Sequence, residues 1–257
     1  MVNIAAIASG SNGNCYYIGN DRQAILVDAG ISCRQLVMRM QELSIDPATI
    51  RGIFITHEHT DHIRGIEVLS KTFNIPVYIT QHTLAQANLS LQPELIRHFE
   101  IGSTIAFDGF SIQSFAKQHD AADPCSFLIE HQGKRVSVLT DIGAQCNNVV
   151  DALKQSHATF LEANYDLEML QRGSYPPHLK SRIMGGAGHL SNNQSGALLA
   201  SYAQKNLKHA VLSHLSGNNN CPKKAHETVN QVISMRPDLD METVVASREK
   251  QTDLFKL

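Results

Sequence analysis

The segment His57-Glu58-His59-Thr60-Asp61-His62 gathers three imidazoles and two carboxylates into six consecutive residues. It follows the apolar run Gly52-Ile53-Phe54-Ile55-Thr56, which reads as a buried strand. Imidazole and carboxylate are donors that first-row divalent ions accept. In an extended segment His57 and His59 share one side, so Glu58 is expected to point away. Asp61 and His62 come round as the chain turns and can reach a second ion. His57 and His59, with His119, could hold one ion, and Asp61 and His62, with His214, could hold the other. Asp141 is the natural bridge, because one carboxylate can bind two metals. A pair of divalent ions, zinc or manganese, would bring a water close to deprotonation at neutral pH. That water is a nucleophile toward an electrophilic ester, and Asp61 could orient it.

The elements that must position these groups are visible in the patterning. Val2–Ala8 is apolar and strand-like, and Cys15–Ile18 and Ala24–Val27 form a hairpin through Gly19-Asn20-Asp21. Ser32–Leu43 carries Leu36, Val37, Met40 and Leu43 at helical spacing. Ile53–Ile55, Pro76–Ile79, Ala158–Leu161 and Ala210–Ser213 are further strands. Ile105–Phe115 and Ser126–Leu139 contain strand-like runs. Helices are expected at Gln81–Ser90, Leu167–Gln171, Pro176–Met184, Asn193–Ala203 and Pro222–Ser234. Periodicity alone supports an α/β fold, and strands grouped early and alternating with helices suggest two sheets with helices outside, a four-layer sandwich. Asp28, His57, His119, Asp141, Glu162 and His214 all stand just after strands, where converging strand ends build a site.

The 257 residues show no low-complexity linker, charge block or internal repeat, so one domain spanning 1–257 is the simplest division. A net charge of -2 gives no global basic footprint for nucleic acid. No signal peptide or membrane-length apolar stretch is found. The five cysteines are scattered and form no C-x-x-C pair, as expected for free thiols in a cytoplasmic protein. Of the 13 histidines, seven have no motif context and are expected to be ordinary surface or satisfied residues.

The residues His57-x-His59-x-Asp61-His62, with Asp28, His119, Asp141 and His214, resemble the metallo-β-lactamase superfamily over nearly the whole chain. Ser9-Gly10-Ser11-Asn12-Gly13-Asn14-Cys15, Leu139-Thr140-Asp141-Ile142-Gly143, Gly188-His189-Leu190-Ser191-Asn192 and Ser213-His214-Leu215-Ser216 narrow it. So does Tyr175-Pro176-x-x-Leu179-Lys180-x-Arg182-Ile183. Together they are similar to the YycJ (WalJ) subgroup, related to ribonuclease Z and RNase J. The resemblance implies the αββα metallo-β-lactamase sandwich and a metal-dependent nuclease, with 5′-to-3′ DNA exonuclease activity, acting through a metal-bridging hydroxide. It also implies that Asp28 supports the metal site by hydrogen bonds. Glu162 and His189 match a carboxylate–imidazole pair in which His189 donates a proton and Glu162 fixes its tautomer. Only 48 positions separate Asp141 from His189, so the β-CASP insertion of RNase J is absent. No basic arm like the tRNA-clamping one of ribonuclease Z is present.

Nucleic acid, DNA before RNA, is therefore the expected partner, and no membrane is. Ser9, Ser11, Asn12, Ser191, Asn192, Ser216 and Asn218 are nominated as loop groups that could bind phosphate oxygens, with Lys180 and Arg182 adding charge. The alternative is a small-molecule hydrolase of the same fold: a cyclic phosphodiesterase, a lactonase or a thioesterase.

Overall fold

The computed structural model describes residues 1–257. The first half builds β1 (Asn3–Ala8), β2 (Cys15–Gly19), β3 (Ala24–Val27), β4 (Ile50–Phe54), β5 (Val77–Ile79) and β6 (Ile96–His98). The second builds β7 (Thr104–Phe107), β8 (Phe110–Ala116), β9 (Cys125–His131), β10 (Lys134–Leu139), β11 (Ala158–Glu162), β12 (His209–Ser213) and β13 (Glu242–Val245). The last strand, β14 (Phe255–Lys256), returns to the first sheet beside β1. Two seven-stranded sheets result, ordered β14-β1-β2-β3-β4-β5-β6 and β13-β12-β11-β10-β9-β8-β7. In each, an antiparallel meander passes into a parallel block. β3 to β6 run parallel in one sheet and β10 to β13 in the other.

The helices are α1 (Cys33–Glu42), α2 (Thr60–Ile63), α3 (Ile66–Phe73), α4 (Gln81–Gln86) and α5 (Asn147–Gln155). They continue with α6 (Leu167–Arg172), α7 (Pro177–Met184), α8 (Asn192–Tyr202) and α9 (Pro222–Ile233). Strand alternation sorts the apolar residues into layers. Ile4, Ile18, Ile25 and Phe54 pack between the sheets against Phe127, Val136, Val138 and Phe160. Tyr16 meets Phe160, with ring centroids 4.8 Å apart, and Phe54 meets Phe127 at 5.9 Å. On the outer face of the first sheet, Ile7, Leu26 and Ile53 pack against Leu36, Met40, Ile66 and Leu69 of α1 and α3. On the outer face of the second, Leu139, Leu161 and Leu212 pack against Val149, Leu153, Leu198 and Val229 of α5, α8 and α9. Each fully buried side chain of this size contributes about 1.5–3 kcal/mol. The expected αββα sandwich is the observed one.

The elements not anticipated include α2, β6, α5, β13 and β14. Cys146 precedes α5 with no side-chain cap, so no start signal marks that helix. β13 is half-buried and β14 has two residues, too short for an alternation. No helix is long and apolar enough to cross a membrane.

Candidate metal centre

The donors converge because parallel strands deliver them to one edge. Asp28 follows β3, the His57–His62 segment follows β4, and Asp141, Glu162 and His214 stand at the ends of adjacent β10, β11 and β12. Asp28, Asp141 and His214 have φ of 61°, 56° and 57°, left-handed values that L-residues rarely adopt. That backbone turns each side chain off its strand toward the cleft at a cost in strain, as sites often do. α2 starts directly after His59 and carries Asp61 and His62 on its first turn.

Four overlapping groups of donors meet there, and two of them are the expected ones. Ligand atoms of His57, His59 and His119 lie within 4.8 Å of one another, as do those of Asp61, His62 and His214. His57 Nε2 is 3.0 Å from His59 Nδ1, and His119 Nε2 is 3.4 Å from the same atom. In the other group, Asp61 Oδ2 lies 3.3 Å from His214 Nε2 and 3.5 Å from His62 Nε2. Asp141 faces both: Oδ2 is 3.2 Å from His62 Nε2, and Oδ1 is 3.7 Å from His119 Nε2 and 3.4 Å from His214 Nε2. Asp141 Oδ2 is buried, and His62 Nε2 at 3.2 Å makes no well-directed hydrogen bond to it. A buried carboxylate oxygen so poorly satisfied by donors and ringed by imidazole nitrogens fits divalent ions.

The rings are aimed by their other nitrogens, as ligand histidines require. His62 donates from Nδ1 to Asp28 Oδ2 at 2.7 Å, and Thr56 donates to the same oxygen at 2.8 Å. The Thr56 amide donates to Asp28 Oδ1, and His57 Nδ1 reaches Thr56 Oγ1 at 2.9 Å. One buried aspartate thus orients a histidine of each group. His119 donates to the Gly188 carbonyl. Glu162 Oε1 accepts from His189 Nδ1 at 2.7 Å and from His214 Nδ1 at 3.1 Å, while its Oε2 accepts from the Ile142 and Leu190 amides.

Burial pushes His57 well below the usual imidazole range and takes His119 down to about 4. Burial acts on His62 in the same sense, but the carboxylates of Asp141, Asp28 and Asp61 outweigh it and raise the ring to about 10. His214 is raised for the same reason, by Asp141, Asp61 and Glu162. Burial would raise Glu162, yet the field and hydrogen bond of His189 draw it down to about 2. Asp141 stays well below the usual carboxylate range against the same burial. The protein therefore holds excess negative charge here, which protons satisfy in the metal-free chain and cations can satisfy better.

Several contributors carry no sequence signature. Asn14, fully buried, donates to Asp61 Oδ2 at 3.2 Å and lies 3.2 Å from His62 Nε2. Asn164 donates to the His214 carbonyl, and buried Lys117 donates to the Thr140 carbonyl. Glu58 points away as expected, and its Oε1 accepts from the Ala122 amide. None of the seven histidines without motif context joins a donor group.

The nominated phosphate groups differ in how far the protein itself engages them. Ser9 Oγ is buried between Tyr16 Oη and the His214 amide, which it caps. Ser191 caps α8 in a reciprocal capping box with Gln194, and Asn192 bonds Asn220 in the interior. Ser216 accepts from the Asn219 amide. Each of these four side chains thus has a partner within the protein, three residues away for Ser191 and Ser216 and farther along the chain for Ser9 and Asn192. Lys180 is engaged by the Gln171 carbonyl and Arg182 by Asp120. Asn218 donates to Tyr175 Oη, while Ser11 and Asn12 are exposed at a loop tip.

A donor set of this kind at the edge of a four-layer α/β sandwich puts the chain among the metal-dependent hydrolases of metallo-β-lactamase fold. It belongs to the beta-lactamase superfamily, whose domain model matches residues 23–215. The chain is 32% identical over 237 residues to exodeoxyribonuclease YycJ of Bacillus anthracis, covering 90% of this chain and 89% of that one. It is 35% identical over 232 residues to exodeoxyribonuclease WalJ of Streptococcus pneumoniae, covering 88% and 86%. Zn²⁺-bound PqqB from Methylobacterium extorquens superposes with a TM-score of 0.73 at 14% identity, over 98% of this chain and 100% of that one.

Proposed function

We propose that the chain is an exonuclease that hydrolyses phosphodiester bonds of DNA from the 5′ end. The observation that carries this reading is the Glu162–His189 pair set against Asp141, with His189 Nδ1 3.8 Å from Asp141 Oδ1. A nucleotide oxygen is a poor leaving group and needs a proton as it departs. Two near full-length relatives named exodeoxyribonuclease support DNA as the polymer.

Divalent ions held by His57, His59 and His119 and by Asp61, His62 and His214, with Asp141 between, would supply an activated water and neutralise phosphoryl charge. The chain's own residues do the rest. His189, tied through Nδ1 to Glu162, keeps Nε2 for the substrate and is partly exposed, with 19% of its side chain open. Protonated there, it gives the proton to the departing oxygen. Buried Glu162 steadies the imidazolium and fixes the ring plane. Asp61, anchored by Asn14, orients the attacking water. Exposed Ser11, Asn12 and Asn218 are left as loop groups for phosphate oxygens.

Incubation with Mn²⁺ and 5′-labelled duplex DNA or single-stranded RNA, with an EDTA control, tests this. Metal-dependent release of 5′ nucleotides from DNA is expected, reduced more than about 100-fold in Asp61→Asn. Cleavage of neither polymer, with turnover of a simple ester, would move the assignment to a small-molecule hydrolase.

A further inference from the structure

A second polar cavity, of about 470 Å³, lies directly behind the His214 loop. Ser9, Ser216, Gly217, Asn220, Ser247 and Arg248 line it. It shares a wall with the metal centre: Ser9 caps the His214 amide at 2.8 Å, and Leu215 and Ser216 follow that ligand in the chain.

Arg248 is fixed there without a carboxylate partner. Its one hydrogen bond runs from Nη2 to the Leu215 carbonyl at 2.8 Å, and it makes no ion pair. The guanidinium packs directly against Gly217, where a Cβ would overlap Nη1 and make the arginine swing aside. The guanidinium is thus seated on a glycine, tethered at one nitrogen and only partly exposed. Its other N–H groups remain for a ligand. A guanidinium held in place at one nitrogen, with its other donors free, suits a phosphate. The start of α9 at Cys221 and Pro222 lies on the same wall and adds a positive helix end. Glu249 also borders the cavity, but it is exposed, where water screens its charge.

We infer that the Arg248 cavity is a second phosphate subsite, holding a phosphate of the polynucleotide other than the one cleaved. This rests on the nucleic-acid reading of the metal centre. The phosphate is either the terminal group or an internal diester one or more nucleotides away.

The test compares wild type, Arg248→Gln and Arg248→Lys on three substrates. These are a 5′-phosphorylated oligonucleotide, the same strand with a 5′-hydroxyl, and bis(p-nitrophenyl) phosphate, which has no second phosphate. Glutamine removes the charge and, being shorter, also releases the Leu215 carbonyl, whereas lysine keeps the charge. For Arg248→Gln, KM should rise about tenfold more on the oligonucleotide than on the chromogenic diester. The slope of log KM against log salt should fall by about one, with partial rescue in Arg248→Lys. A rise confined to the phosphorylated strand assigns the terminal phosphate, and a rise on both strands assigns an internal one. Equal losses on all three substrates would mean that Arg248 only braces the His214 loop and would overturn the inference. So would a variant indistinguishable from a wild type that cleaves DNA. A wild type that cleaves neither oligonucleotide would instead refute the nucleic-acid reading itself, and the subsite with it.

Discussion

Glu162 serves two histidines at once, and that double duty separates the effects of neighbouring substitutions. Its Oε1 holds His189 and His214, and its Oε2 takes the Ile142 and Leu190 amides. His189→Ala removes a proton donor and leaves the donor groups for metal intact. It should lower kcat on DNA by about 10²–10³-fold while metal content holds. On bis(p-nitrophenyl) phosphate, whose leaving group departs without a proton, the loss should be much smaller. Glu162→Gln points an amide at two backbone N–H groups and loosens His214, so it should also weaken metal binding by about 10–100-fold. Metal analysis after dialysis, with kcat on both substrates, checks the pair; equal leaving-group dependence in His189→Ala and wild type would rule out the proton-donor role. The ligands themselves were legible because His57-x-His59-x-Asp61-His62 is dense and follows an apolar strand. Asn14, Thr56, Asn164 and Lys117 were not. Each acts through a partner that only the fold brings near, such as Asn14 and Asp61, which lie 47 positions apart.

At the level of elements, the centre depends on how closely two loops approach. Asn14 ties the two together, its amide donating to the Asp61 carbonyl at 2.8 Å and its carbonyl accepting from the Gly30 amide at 2.7 Å. A Cβ at Gly30 would overlap the Asp61 carbonyl oxygen, and backbone cannot swing aside as a side chain can. Gly30→Ala should therefore push α2 outward and displace Asp61 and His62 together. We expect a loss of about 1–3 kcal/mol, or roughly 2–12 °C in Tm, along with weakened metal retention. Thermal melts and metal analysis of the variant decide this, and a fully metal-loaded variant with unchanged Tm would show that the loops have room. Most helices and strands were readable from periodicity, as Leu36 and Met40 in α1 illustrate. α5 was not, since Cys146 gives it no capping side chain. The structural duty of Ser191 was legible in the same way: a Ser followed three residues later by Gln is a helix-start signal, and it engages the Ser191 side chain at the start of α8.

Across the whole molecule, a net charge of only -2 conceals a concentration of buried carboxylate where the two sheets meet. The sandwich tolerates Asp28, Asp61, Asp141 and Glu162 together because positive charge is drawn in among them, and without metal that charge is protons. His62, raised from 6.5 to about 10, binds its proton more tightly folded than unfolded. Its contribution to stability is complete below about pH 6.5 and is lost as pH rises toward 10; raised His214 has the same sign. His119, lowered to about 4, acts oppositely: the unfolded chain binds its proton between about pH 4 and 6.5, so stability climbs with pH over that range, and His57, also lowered, has the same sign. Glu162, drawn to about 2 from 4.5, adds stability that is present above about 4.5 and lost below it. The two trends meet near pH 6.5, where the metal-free protein should be most stable. Between pH 7 and 9 its Tm should fall by roughly 4–8 °C, the shift for about 2 kcal/mol in a chain of this size. Divalent ions take the place of the departing protons and bind more tightly as pH rises, so Zn²⁺ or Mn²⁺ should abolish the alkaline decline. Thermal melts from pH 5 to 9, in EDTA and in excess metal, make the comparison directly. A metal-free Tm that is flat or rising from pH 7 to 9 would mean that His62 and His214 are not holding protons among these carboxylates, and that the charge deficit at the centre is met in another way.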